Sequence, residues 1–154
     1  MERTHDIILQ PIGQVQNDLK NGRGRKLWQG TTSKIVLNEE FIDALYGIEE
    51  YSHVVVVFWM DRITVEERSK IRILVPYAPE YVGFRGVLAT RVPERPNPVG
   101  ISLVPLVSRS KNILTVKELD ALDGTPVIDI KPYTGHSLER IENFSVPEWE
   151  RIFS

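Results

Sequence analysis

The apolar run Val54-Val-Val-Val-Phe58-Trp-Met60 sets the pattern of the chain, because β-branched and aromatic residues occupy both parities. Such a run predicts a central strand buried on both faces. Upstream, Ile7-Ile8-Leu9 with Ile12 and Val15 predicts a first strand, interrupted by Pro11 and so placed at an edge or bend. Asn17 to Gly30 holds Gly22, Gly24 and Gly30 and reads as a loop, and Lys34 to Leu37 reads as a short strand. Phe41, Ile42, Leu45 and Ile48 share one helical face after Asn38, with Glu39 and Glu40 in the first turn and Gly47 as a stop. Thr64 and Glu67 have the spacing of a capping box, and Ser145, Pro147 and Glu148 open a short terminal helix. Strands are predicted over 71–75, 87–90, 99–107, 113–119 and 127–130, and 76–83 reads as a loop. In the last strand Val127, Asp129 and Lys131 alternate with Ile128 and Ile130. Many short strands, turn signals between them and few helices predict a mainly β chain. The expected fold is a single-domain antiparallel β-barrel or curled sheet over 1–154 with a few short helices.

Composition changes this picture little. The 154 residues are 42% hydrophobic and 26% charged, the range of ordinary globular domains. The absence of cysteine excludes disulfides, thiolate metal sites and a cysteine nucleophile. His5, His53 and His136 are far apart, so no metal site is expected. No apolar run approaches a membrane span and the first residues carry no apolar leader segment, so a cytoplasmic protein without membrane attachment is expected. The net charge of −2 argues against a broadly basic surface. Between Asp18 and Glu39, however, Lys20, Arg23, Arg25, Lys26 and Lys34 occur with no acid among them. A local patch of this kind suits phosphates through counterion release, and Arg23, Arg25 and Lys26 are the candidate RNA contacts; a solvated loop has the same composition.

Candidate chemistry concentrates between Gly86 and Tyr133. Pro93, Pro96 and Pro98 fix three backbone angles and remove three donors, so Arg91 to Pro98 is a stiff loop presenting Arg91, Arg95 and Asn97. A stiff loop with two guanidiniums suits a bound anion, because little entropy is lost on capture; a surface loop with Glu94 neutralising an arginine is equally consistent with the residues. Asp123-Gly124 is a turn signal. Walker-type loops and nucleophile elbows are absent, and Gly22-x-Gly24 lacks the rest of a dinucleotide fingerprint.

Two ordered runs carry a family resemblance. Thr90-Arg91-x-Pro-x-Arg95-Pro-Asn-Pro-Val-Gly100-x-Ser102 and Asp120-x-Leu-Asp123-Gly-Thr-Pro126-Val-x-Asp129-Ile-Lys-Pro-Tyr133 resemble the signature of the TsaA-like family, best known from the TrmO tRNA methyltransferases, in a short form. Weaker agreement reaches Pro11-Ile12-Gly13 and Tyr51-Ser52-His53. The resemblance implies S-adenosylmethionine as cofactor and the N6 nitrogen of threonylcarbamoyladenosine in tRNA as methyl acceptor. It also implies a β-barrel-like homodimer with the cofactor near the subunit contact. Carried onto this chain, it assigns Arg91, Gly100, Asp123, Gly124, Thr125 and Pro126 to the cofactor, with Arg95 and Asn97 from the same motif. Asp129, Lys131 and Tyr133 are expected to line the acceptor side, with Asp129 or Tyr133 taking a proton. A polar strand end is the structural alternative for that trio. The family's N-terminal Pro-Arg-Gln tripeptide corresponds here to Gly22-Arg-Gly-Arg-Lys26, and Met60-Asp61-Arg62 replaces a His that several members carry after the central strand. A methyltransferase with a small-molecule acceptor, or a non-catalytic ligand- or RNA-binding module, would use the same fold.

Overall fold

The computed structural model describes residues 6–22, 27–74, 83–136 and 141–151. The chain forms two compact units, one from residues 1–61 with 99–133 and the other from residues 62–98 with 134–154.

The first unit is a closed antiparallel barrel. Its strands are β1 (Gly13–Gln16), β2 (Thr32–Leu37), β3 (His53–Trp59), β6 (Val99–Ser110), β7 (Ile113–Lys117) and β8 (Pro126–Pro132). Around the barrel the order is β1-β2-β7-β6-β3-β8, and β8 closes onto β1. Mainly β architecture with few short helices is therefore what the chain adopts. Alternation drives it: Ser33, Ile35 and Leu37 of β2 point inward, as do Val54, Val56 and Phe58 of β3, Leu114 and Val116 of β7, and Val127 of β8. Each such aliphatic or aromatic side chain contributes roughly 1.5–3 kcal/mol by leaving water. The closing seam is short, with Gly13 opposite Val127 and Gln14 opposite Pro126. Gly13 is required there, since a Cβ would lie 2.4 Å from the Val36 carbonyl oxygen.

Several expectations shift. Residues Val55, Val57 and Trp59 are only half-buried, so β3 has one core face and one partly open outer face rather than two buried ones. Ile7, Ile8 and Leu9 are exposed and unpaired, and the first strand begins at Gly13. Pro11 stands just before it. The stretch from Glu39 to Glu50 is three separate 3-10 turns rather than one helix, and only Leu45 of the apolar stripe is fully buried. Asn38 makes no side-chain cap, and Gly47 has φ +85°, which breaks the run.

The second unit holds α1 (Val65–Arg68), the pair β4 (Arg72–Leu74) and β5 (Phe84–Gly86), a 3-10 turn over Val87–Ala89, and α2 (Glu148–Arg151). Thr64 and Glu67 form the expected capping box, each side chain bonding the other's backbone N–H. The strand expected over 87–90 is instead this 3-10 turn, entered from β5 and tied by the Val87 N–H to the Ile71 carbonyl. Most of the loop expected over 76–83 lies outside the described residues.

Candidate functional site

The turn after Ala121 is held by hydrogen bonds to the end of β1. The N–H groups of Asp123, Gly124 and Thr125 donate to the carbonyls of Leu19, Val15 and Leu122, at 2.8, 2.8 and 3.1 Å. Those three amides are therefore committed within the fold. Asp123 accepts from the Asn17 N–H through Oδ1 at 2.9 Å, and its other oxygen pairs with Lys20. Asn17 also donates from Nδ2 to Ser33 Oγ and the Ala121 carbonyl, both at 2.9 Å, while Oδ1 accepts the Leu19 N–H. One side chain thus fastens β1, β2 and the turn together. Beside them lies an open depression of about 540 Å³ lined by Gln14, Val15, Gln16, Asn17, Asp18, Asp123 and Gly124. Gly124 has φ +81° and no heavy atom within 4 Å of where a Cβ would stand, so its outer side is accessible to a ligand.

Gly100 lies in β6 directly opposite Phe58 of β3, which in turn is opposite Val127 at the start of β8. A Cβ on Gly100 would lie 2.2–2.8 Å from three atoms of the Phe58 ring. Close ring packing accounts for the glycine without a ligand.

In the second unit, Arg95 holds its own loop. Its guanidinium donates to the carbonyls of Thr90 and Val92 at 3.2 and 3.3 Å, and its N–H donates to Pro93. Arg91 and Asn97 are exposed on the same loop and form no hydrogen bond among the described residues. The stiffness expected from three prolines is thus reinforced by one arginine, leaving the other to project. Glu94 is buried. Pro98 runs directly into Val99, the first residue of β6.

On the barrel's outer face, Asp129 stands opposite Val57 and Lys131 opposite Val55. A register shift between Val57 and Phe58 leaves Ile128 as an extra residue in β8. That bulge turns Val127 inward and Asp129 and Lys131 outward, so the alternation expected across Val127, Asp129 and Lys131 is broken at Ile128. Asp129 accepts the Ile130 N–H through Oδ1 at 2.9 Å and binds Lys131 Nζ through Oδ2 at 2.6 Å. The hydrogen bond and charge of Asp129 hold the Lys131 ammonium above the usual lysine range. Tyr133 follows, its N–H donating to the His53 carbonyl at 3.0 Å and its ring edge-on to the His53 ring, centroids 6.4 Å apart. His53 Nδ1 is 2.9 Å from Ser52 Oγ.

The structure therefore gathers Asp129, Lys131 and Tyr133 along one row. Among the cofactor residues, it divides Arg91, Arg95 and Asn97 from Gly100 and Asp123 to Pro126 between two units. Thr125 is buried in the turn and Pro126 opens β8. Arg23, Arg25 and Lys26 lie outside the described residues. Asn17 escaped sequence reasoning as a contributor, and Ser52 and His53 entered it within the weaker family agreement, with no role assigned. The one hint was position, a polar residue ending or starting a β-branched run. Among the described residues no group of acids and histidines could hold a metal, and no helix is long and apolar enough to cross a membrane.

Residues 17–137 match the family described as the tRNA-methyltransferase O N-terminal domain. A protein of Archaeoglobus fulgidus named S-adenosyl-L-methionine-binding protein is 41% identical over 133 residues, covering 83% of this chain and 90% of that one. A Pseudomonas aeruginosa protein named putative S-adenosylmethionine-dependent methyltransferase RcsF is 34% identical over 135 residues, and the chain spans 55% of its length. The crystal structure of TrmO from Pseudomonas aeruginosa superposes with a TM-score of 0.64 at 30% identity, covering 86% of this chain and 57% of that one.

Proposed function

The chain belongs to the family of the tRNA-methyltransferase O N-terminal domain, and from that premise we propose that it binds S-adenosylmethionine and methylates N6 of threonylcarbamoyladenosine beside the anticodon of tRNA. The observation carrying this reading is that the matched region, residues 17–137, contains every residue assigned to cofactor, acceptor and RNA. Two groups of residues support the cofactor reading, each within its own unit. In the second unit Arg91 offers an exposed guanidinium suited to a carboxylate and Asn97 an amide suited to polar edges; in the first, Gly124 offers an open approach beside the buried Thr125. Arg95, Gly100 and Asp123 support those contacts by fixing the loop, the β3–β6 packing and the turn. When bound, S-adenosylmethionine supplies a methyl already activated on a sulfonium, so the protein's share is positioning, exclusion of water and care of the acceptor's proton.

Lys131, kept cationic by Asp129, suits the threonyl carboxylate or a neighbouring phosphate. Arg23, Arg25 and Lys26 supply phosphate contacts. A cytoplasmic homodimer is part of the same proposal. The outer face of β3 and β6 supports it, because Ile101, Leu103 and Val107 are each more than half exposed in one apolar strip.

Calorimetric titration with S-adenosylmethionine tests the cofactor, and transfer of labelled methyl to tRNA carrying the threonylcarbamoyl group tests the acceptor. Micromolar or tighter binding, lost in Arg91→Ala, is expected. A folded protein that binds no cofactor with or without tRNA overturns the reading. Binding with methylation of small molecules only would assign the alternative acceptor class. Neutralising Arg23, Arg25 and Lys26 should weaken RNA binding and flatten its salt dependence while leaving cofactor affinity unchanged.

A further inference from the structure

The acceptor side contains a group whose chemistry the proposal above leaves unused. Asp129 is poorly placed to take a proton, because both carboxylate oxygens are engaged, one by the Ile130 N–H and one by Lys131. Protonating it would release the Lys131 ammonium from its partner. Lys131 itself is held protonated. The next position along this face is His53, level with Tyr133 at the start of β3. Across β6 it faces Pro105, which carries no charge, and on β8 the titratable residues of the same face are Tyr133 beside it and Lys131 and Asp129 further along.

His53 is also fixed in place. Ser52 Oγ lies 2.9 Å from Nδ1, and the Ser52 carbonyl is itself tied by the Leu106 N–H at 2.8 Å. The Tyr133 ring packs edge-on against the imidazole at an interplanar angle of 67°. Nε2 has no hydrogen bond among the described residues, although the residue is half-buried. One nitrogen anchored and the other open is the arrangement of an imidazole that exchanges a proton with a ligand.

We propose that His53 is a further catalytic residue, whose Nε2 takes the proton leaving the acceptor nitrogen, with Ser52 Oγ accepting from Nδ1–H and Tyr133 holding the ring. The inference rests on the methyltransferase reading above. As the nitrogen's electron pair forms the new bond to carbon, the methyl–sulfur pair stays with sulfur and the N–H pair returns to nitrogen. The proton goes to Nε2, and the imidazolium then releases it to water. Ser52 is a positioning residue, since it acts through the tautomer it selects.

The test combines kinetics with nitrogen NMR of the free protein. In the wild type, kcat for labelled-methyl transfer to threonylcarbamoyl-tRNA should fall on the acid side with unit slope. In His53→Asn that limb should vanish and kcat should drop about 100-fold or more, the scale of a lost general base. Cofactor affinity by calorimetry and KM for tRNA should stay within about threefold. Ser52→Ala should lower kcat roughly 3- to 10-fold and shift the acid limb, a change that a purely structural serine would not produce. Without ligand, the neutral His53 imidazole should show a protonated Nδ1 and a bare Nε2. A dominant Nε2–H tautomer overturns the proposal, as does a His53→Asn enzyme within threefold of wild type or with its acid limb intact. Those results leave the methyltransferase reading standing. A wild type that methylates no such tRNA overturns this proposal together with the tRNA acceptor. If His53→Asn does not fold, the wild-type tautomer and the Ser52→Ala profile decide.

Discussion

Arg109 sits with only 15% of its side chain exposed and donates to the carbonyls of Ile42, Leu45 and Lys111 at 2.9, 3.2 and 3.0 Å, with a Glu49 carboxylate at 3.2 Å. It supplies donors that the three 3-10 turns between Glu39 and Glu50 cannot supply themselves, and so ties them to β6. Arg109→Ala leaves those carbonyls unpaired and should cost about 2–3 kcal/mol in urea unfolding. Arg109→Lys should recover less than half of that, because one ammonium cannot reach the same set. Glu49 gives a second check. Its own backbone N–H, and next Arg109, hold its carboxyl below the ordinary value of 4.5. The folded state therefore gains stability from the ionised group above that ordinary value and loses it as pH falls through the lowered one. Glu49→Gln should destabilise the protein near neutral pH, and the difference from wild type should disappear in acid; a difference that persists in acid would refute the assignment. Arg109 lies beyond the strand expected over 99–107, and nothing in the sequence set it apart. Its partners Ile42 and Leu45 lie more than sixty residues away, and no local pattern announces them.

At the scale of elements, the short apolar runs of β2 and β7 were legible as strands, and the capping box at Thr64 was legible because its whole signal spans four residues. The misread elements share a cause. The Glu39–Glu50 stretch has a helical stripe, yet tertiary bonds to Arg109 and the Gly47 break favour separate tight turns. The Ile128 bulge depends on how β8 pairs with β3, so the outward turn of Asp129 and Lys131 is a property of two strands and not of one. The same reasoning separates structure from ligand at Gly100. Gly100→Ala places a methyl against the Phe58 ring and should cost about 1–3 kcal/mol by overpacking. Adding Phe58→Leu should recover part of that loss, so the two changes together would be less harmful than their sum. Should Gly100→Ala instead leave stability untouched while abolishing S-adenosylmethionine binding, the residue faces the cofactor and the packing argument fails.

For the whole molecule, the unresolved economy is the outer face of β3 and β6. Ile101, Leu103 and Val107 are 56%, 52% and 52% exposed, and Val55 and Val57 stand beside the first two in register. An exposed apolar strip beside the internally paired Asp129 and Lys131 suits a contact between two copies, in which each strip covers the other. The proposed homodimer would cover it. Neither composition nor strand periodicity pointed to an assembly, because an outward Ile or Leu on a strand is unremarkable until neighbouring strands are known to place others beside it. Leu103→Glu puts a carboxylate in the centre of the strip while leaving the buried side of β6 unchanged. In sedimentation analysis the wild type should run as a dimer and the variant as a folded monomer, with thermal unfolding of the variant independent of protein concentration. If the active arrangement needs the second copy, cofactor affinity should fall with the dimer and recover at high protein concentration in a milder variant such as Leu103→Ala. A wild type that is monomeric at all accessible concentrations would remove the two-fold interface and leave this apolar strip to a different partner.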